Sequence, residues 1–147
     1  MPCKRKCFLL IYLLVVFFSF AQNVKFKRLS IDEGLSQASV NTIFQDSEGF
    51  IWVGTQDGLN RYDGYHMKVF KTEQNAKSSL PSNEINCLFE DKKGMIYIGT
   101  NDQGLSVYNK STQQFTNFKA ELGKNKLSSN SVRSILDLNE NELLIAT

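Results

Sequence analysis

An all-β chain built from repeated sheets is what the sequence predicts, and three observations predict it. A period of 45 residues runs through the chain, each period carries short β-rich runs, and turn residues separate those runs. Residues 40–62 read VNTIFQDSEGFIWVGTQDGLNRY and residues 85–108 read INCLFEDKKGMIYIGTNDQGLSVY. Val40, Asn41, Phe44, Asp46, Gly49, Ile51, Gly54, Thr55 and Asp57 meet Ile85, Asn86, Phe89, Asp91, Gly94, Ile96, Gly99, Thr100 and Asp102 at a constant offset of 45. Gln103 is one inserted residue, after which Gly58, Leu59 and Tyr62 match Gly104, Leu105 and Tyr108. A third copy starts at Leu127, where Val132, Ile135, Leu136, Leu143, Ile145 and Thr147 match the second at an offset of 47. Four-stranded propeller blades need about 40 to 50 residues each, so the expected fold is two antiparallel blades and part of a third, an incomplete ring.

The elements follow in chain order. Residues 1–21 hold Lys4, Arg5 and Lys6, then an apolar run over residues 8–20, then small Ala21 before polar Gln22. That is the build of a secretory signal peptide cleaved between Ala21 and Gln22, since its 13-residue apolar run falls short of the roughly 20 residues a membrane-spanning helix needs. Residues 26–30 are expected to be a short strand ahead of the first blade. In closed propellers such a strand commonly completes the last blade and removes an exposed sheet edge. The expected organisation is therefore a leader (1–21), an N-terminal strand segment (22–34), repeat one (35–79), repeat two (80–126) and a partial repeat three (127–147).

Inside each repeat the first apolar group has helix-like i, i+3, i+4 spacing, as in Val40, Ile43 and Phe44. A strand is still expected, because each run is about six residues long and ends in a turn signal. Asp46 to Gly49 and Asp91 to Gly94 are those turns. The Asp carboxylate accepts backbone N–H bonds there, and Gly adopts positive φ. Copy three has Leu138 and Asn141 instead, with Asn able to replace the glycine conformation. The second runs, FIWVGT and MIYIGT, are apolar on both faces, as strands between stacked sheets are. Gly54 and Gly99 mark a close backbone approach or a bulge before the third strands at residues 58–62 and 104–108. Residues 67–70 and 115–118 supply the fourth strands, and polar residues 71–84 link one blade to the next.

Composition narrows function. The chain has 17 basic and 15 acidic side chains in 147 residues, and loss of the leader leaves 14 against 15. That balance does not suit nucleic-acid binding through a polybasic surface. Beyond the leader's Cys3 and Cys7, Cys87 is the one thiol and His66 the one imidazole, so no disulfide, CxxC site or histidine metal cluster is expected. Cys87 sits in an apolar stretch as a small core residue.

The text from residue 34 to 65, GLSQASVNTIFQDSEGFIWVGTQDGLNRYDGY, closely resembles the start of the periplasmic sensor region of hybrid two-component regulators from Bacteroidetes. Their propeller repeat has the pattern V-x-x-I/L-x-x-D-x-x-G-x-I-W-I-G-T-x-x-G-L-x-x-Y-D/N. Copy one follows it from Val40 to Asp63, and copy two from Ile85 to Asn109 with Tyr97 in place of Trp. The resemblance implies the opening fragment of a longer sensor, in which further blades precede a membrane helix, a histidine kinase and a receiver. It also implies a periplasmic location in a parent anchored in the inner membrane, an oligosaccharide ligand, a homodimeric parent and control of a kinase outside these residues.

Chemistry-bearing residues are sparse. Trp52 and Tyr97 occupy one repeat position and are expected to pack between blades, and as a fragment the chain is expected to leave one of them partly covered. Tyr65, in a loop with Asp63, Gly64 and His66, lies outside the repeated core and is the candidate for stacking on a sugar. Asp46 and Asp91 invite comparison with the paired carboxylates of glycosidases, but as equivalent turn positions they read as structural. Asp57 and Asp102 lack a dense set of oxygen ligands for calcium and read as solvated turns. The expectation is a non-enzymatic sensing segment without a cofactor. The alternatives are part of a secreted propeller lyase or glycosidase, or a protein-interaction propeller.

Overall fold

The computed structural model describes residues 25–74, 78–123, 126–139 and 142–147. The leader and its cleavage point between Ala21 and Gln22 lie outside the described residues. Strands β1 (Val40–Gln45), β2 (Ile51–Thr55), β3 (Gly58–Tyr62) and β4 (Met67–Phe70) form an antiparallel sheet in that spatial order. The same order recurs in β5 (Ile85–Glu90), β6 (Met95–Thr100), β7 (Leu105–Asn109) and β8 (Gln114–Phe118), while β9 (Ser134–Asn139) pairs with β10 (Glu142–Ala146). The fold is all-β, in open propeller blades.

The helix-like spacing of the first strands has a physical cause. The β1–β2 register shifts between Val40 and Thr42, and the β5–β6 register shifts between Ile85 and Cys87. One extra residue, Asn41 or Asn86, is bulged out of each ladder, so a strand carries apolar residues three apart on one face. The bulge also aims the Asn side chain at the following blade. Asn41 Nδ2 donates to the Ile85 carbonyl at 2.9 Å, and Asn86 Nδ2 donates to the Val132 carbonyl at 3.1 Å. Replacing Asn86 with alanine is expected to lower stability by about 0.5–1.5 kcal/mol, the worth of one such bond, measured by urea unfolding. Asn41→Ala should cost a similar amount.

Apolar faces of successive blades meet at two seams. At the first, Trp52, Leu59 and Phe70 of blade 1 meet Ile96, Ile98 and Tyr108 of blade 2. Trp52 stacks on Phe70 at 5.8 Å between centroids and meets Tyr108 edge-on at 5.6 Å. Trp52 is 0% exposed, whereas Tyr97 at the second seam is partly covered. There Tyr97, Leu105 and Val107 meet Val132, Ile135 and Ile145. Gly54 and Gly99 are required by close approach. A Cβ on Gly54 would lie 2.6 Å from Ile85 Cγ2, and one on Gly99 would lie 2.7 Å from Val132 Cγ1.

Residues 26–30 do not form a strand, contrary to expectation. No sheet edge among the described residues pairs with them, and Phe26 is 94% exposed. Ser30 instead caps a 3-10 turn (Ile31–Glu33), its hydroxyl accepting from Asp32 N while Glu33 accepts from the Ser30 backbone. Buried Leu35 follows, and Ser36 anchors the segment to blade 1 through Asn60 Oδ1 at 2.9 Å.

Candidate functional site

The two Asp turns have equivalent geometry. Asp46 Oδ1 accepts from Glu48 N and Phe50 N at 3.0 and 2.9 Å, and Asp91 Oδ1 accepts from Lys93 N and Met95 N at 2.9 Å each. Gly49 and Gly94 complete the turns at φ 92° and 77°. The second carboxylate oxygen reaches the aromatic residue six positions on: Asp46 Oδ2 accepts from Trp52 Nε1 at 2.8 Å, and Asp91 Oδ2 accepts from Tyr97 Oη at 3.2 Å. Each Asp thereby fixes its hairpin and orients the aromatic side chain of the seam. A carboxylate so committed has little capacity left for acid/base work.

Lys110, just beyond β7, joins this arrangement across the first seam. Its Nζ lies 2.7 Å from Glu90 Oε1, 2.9 Å from Glu48 Oε1 and 3.6 Å from Asp46 Oδ2. Glu90 also accepts from Ser47 N and Ser47 Oγ at 2.7 and 2.8 Å. The Lys110, Asp46 and Glu90 side chains are 11%, 0% and 8% exposed. Burial alone pulls the Lys110 ammonium down, but its bonds to Glu90 and Glu48 and the Asp46 charge outweigh this and hold it well above the ordinary lysine value. Burial pushes Glu90 up, and Lys110 and Ser47 more than offset it, so Glu90 titrates below the ordinary range. A lowered carboxylate contributes stability at pH values above its unfolded pKa and loses it as pH falls through the folded value. Beside the cluster lies a polar cavity of about 370 Å³ lined by Ser47, Lys92, Lys93, Asn109 and Ser111 among others.

Tyr65 stands apart from both seams on the β3–β4 hairpin, 88% exposed. Asp63 Oδ1 accepts from Tyr65 N and His66 N at 2.8 and 2.6 Å, which shapes the loop beneath the ring. These bonds, chiefly those from the His66 and Tyr65 backbone, lower the Asp63 pKa. Cys87 lies under the second seam, where burial pushes its thiol up to about 11. Asp57 is half-exposed and Asp102 exposed, and each also ties down a neighbouring segment. Asp57 Oδ1 accepts from Asn83 Nδ2 at 3.2 Å, and Asp102 Oδ1 accepts from Ser82 Oγ at 2.7 Å. Both bind the link that leads into blade 2.

Lys110 and Glu90 were not singled out from sequence, since their contacts cross the repeat. The one available signal was that Lys110 stands where copy one has Gly64.

Residues 34–57 and 79–102 match the family model described as two component regulator propeller. Histidine kinase P4 of Formosa agariphila is 42% identical over 74 residues, which is 45% of this chain and 5% of that protein. The extracellular domain of BT3049 from B. thetaiotaomicron, assigned to a hybrid two component system, superposes with a TM-score of 0.75 at 33% identity, over 82% of this chain and 17% of that one. The extracellular domain of BT4673 from the same organism shares the fold, with a TM-score of 0.67 at 22% identity over 85% of this chain and 18% of that one. The chain thus spans about a sixth of the extracellular domains it resembles.

Proposed function

This chain carries the two-component regulator propeller repeat twice, and on that premise we propose that it is the ligand-sensing, extracytoplasmic part of a two-component sensor. The observation that carries the reading is the match of 82% of the chain to the extracellular domain of a hybrid two component system at 33% identity. The ligand is an oligosaccharide, and its binding controls a membrane histidine kinase through the remaining blades of a homodimeric parent. The chain resides in the periplasm after cleavage between Ala21 and Gln22. Commitment of Asp46 and Asp91 to backbone and aromatic donors supports a non-catalytic role rather than that of a glycosidase or lyase.

Tyr65 is the residue proposed to touch the sugar, since its ring is exposed on a loop whose backbone Asp63 holds in place. Titration of the full chain with a panel of oligosaccharides is expected to raise its melting temperature with at least one of them, because a ligand bound only by the folded state stabilises it. Tyr65→Ala should weaken that ligand by up to about tenfold, the scale of one aromatic contact, without moving the ligand-free melting temperature. A panel without any stabilising member would reject the sensing role. An unchanged affinity in Tyr65→Ala would reject only the residue.

A further inference from the structure

The two ends of the first seam are closed by different chemistry. At the end near the β2–β3 turn the contacts are backbone and amide bonds around an apolar seat: Gly58 N donates to the Asn83 carbonyl at 2.7 Å, Asn41 reaches Ile85, and Ile85 packs on Gly54. At the Asp46 turn the two blades are joined by Lys110 and by the Ser47 bonds to Glu90. We propose that Lys110 is the bolt of a charge-operated latch: with its ammonium in place the seam is closed at the Asp46 end, and without it Asp46, Glu48 and Glu90 repel and that end opens over Trp52 while the Gly54 end stays seated.

Three carboxylates converge on one ammonium, and two of them are almost fully buried. Removing the partner of a buried charge is far costlier than removing a surface pair, because the remaining charges lose both solvent and counter-ion. Other charged groups near the cluster among the described residues include Arg61, which lies over Phe50 and Trp52 at 4.6 and 5.8 Å from their ring centroids, and Lys92 and Lys93, which line the adjoining cavity. The guanidinium stacks on the rings, and the ion pairs of Asp46 and Glu90 are made with Lys110. Opening separates Blade 1's Asp46, Ser47 and Glu48 from Blade 2's Glu90 and Lys110. Trp52 then reports it directly, as the one tryptophan in the chain and a donor to Asp46.

The test uses the full chain and the exchange rate of the Trp52 indole N–H. In Lys110→Met at pH 7 exchange should be about tenfold faster than in the unaltered chain, the scale of a lost charge-assisted bond, with the far-UV β signal retained. At pH 4 the difference should shrink, because protonated carboxylates no longer repel. Lys110→Arg, which keeps the charge, should behave as the unaltered chain does. A packing defect alone would not be reversed by acid, so a difference that persists at pH 4, or none at pH 7, overturns the latch. If Lys110→Met unfolds, the double variant Lys110→Met, Glu90→Gln decides: recovery of the β signal supports charge repulsion, and continued unfolding refutes it.

Discussion

Replacing Trp52 with alanine is expected to lower stability by about 3–5 kcal/mol, the cost of deleting a fully buried large aromatic side chain. Three losses combine at this position. The ring is 0% exposed between Phe70 and Tyr108, so its removal leaves a cavity in the first seam. The indole N–H no longer satisfies Asp46 Oδ2, a side chain with no exposure of its own. Arg61 loses one of the two rings over which it lies. Trp52→Phe separates these contributions, since it keeps an aromatic body and removes only the donor and part of the volume. It should recover more than half of the loss. Urea unfolding followed by far-UV circular dichroism checks both variants, and a loss below about 1 kcal/mol in Trp52→Ala would show that the seam contributes little to folding.

Gly54→Ala is expected to destabilise by about 1–3 kcal/mol through overpacking. The added methyl would lie 2.6 Å from both Ile85 Cγ2 and Thr42 Cγ2 and 2.9 Å from Ile85 Cβ. Thr42 belongs to the same sheet and can give only by turning its side chain, whereas Ile85 arrives from blade 2, so relief of that contact comes from moving the blades apart. Ile85→Ala alone should also be costly, by about 2–5 kcal/mol, because Ile85 is fully buried. In the double variant the two changes should compensate, with a cost below the sum of the single costs by at least about 0.5 kcal/mol. Additive costs would mean that Gly54 and Ile85 do not meet. The same experiment on Gly99 and Val132 reads the second seam, where a Cβ would lie 2.7 Å from Val132 Cγ1.

Much of this was legible in the repeated text, for particular physical reasons. A hairpin is a local object, so Asp46 to Gly49 and the runs on either side show themselves within a dozen residues. Gly54 and Gly99 stood out as matched glycines inside strands, and their cause is a β-branched residue from the next blade. Residues 26–30 have β-like composition but no partner strand among the described residues, and Ser30 and Glu33 favour a capped turn immediately afterwards. Asn41 and Asn86 were visible as matches, but their task depends on a bulge that only the ladder register reveals. Lys110 was the least legible of all. It has no lysine counterpart in copy one, and its partners come from 20, 62 and 64 positions away in sequence.

The bulged asparagines have a directional consequence. Each donates forward along the chain, from blade 1 to a carbonyl of blade 2 and from blade 2 to a carbonyl of blade 3. The array therefore has polarity, with every wedge gripping its successor by the same hand. Blade 2 is thereby the unit that both receives such a bond and makes one, so a change at Asn86 loosens its grip on the β9–β10 hairpin without touching the bond it accepts from Asn41.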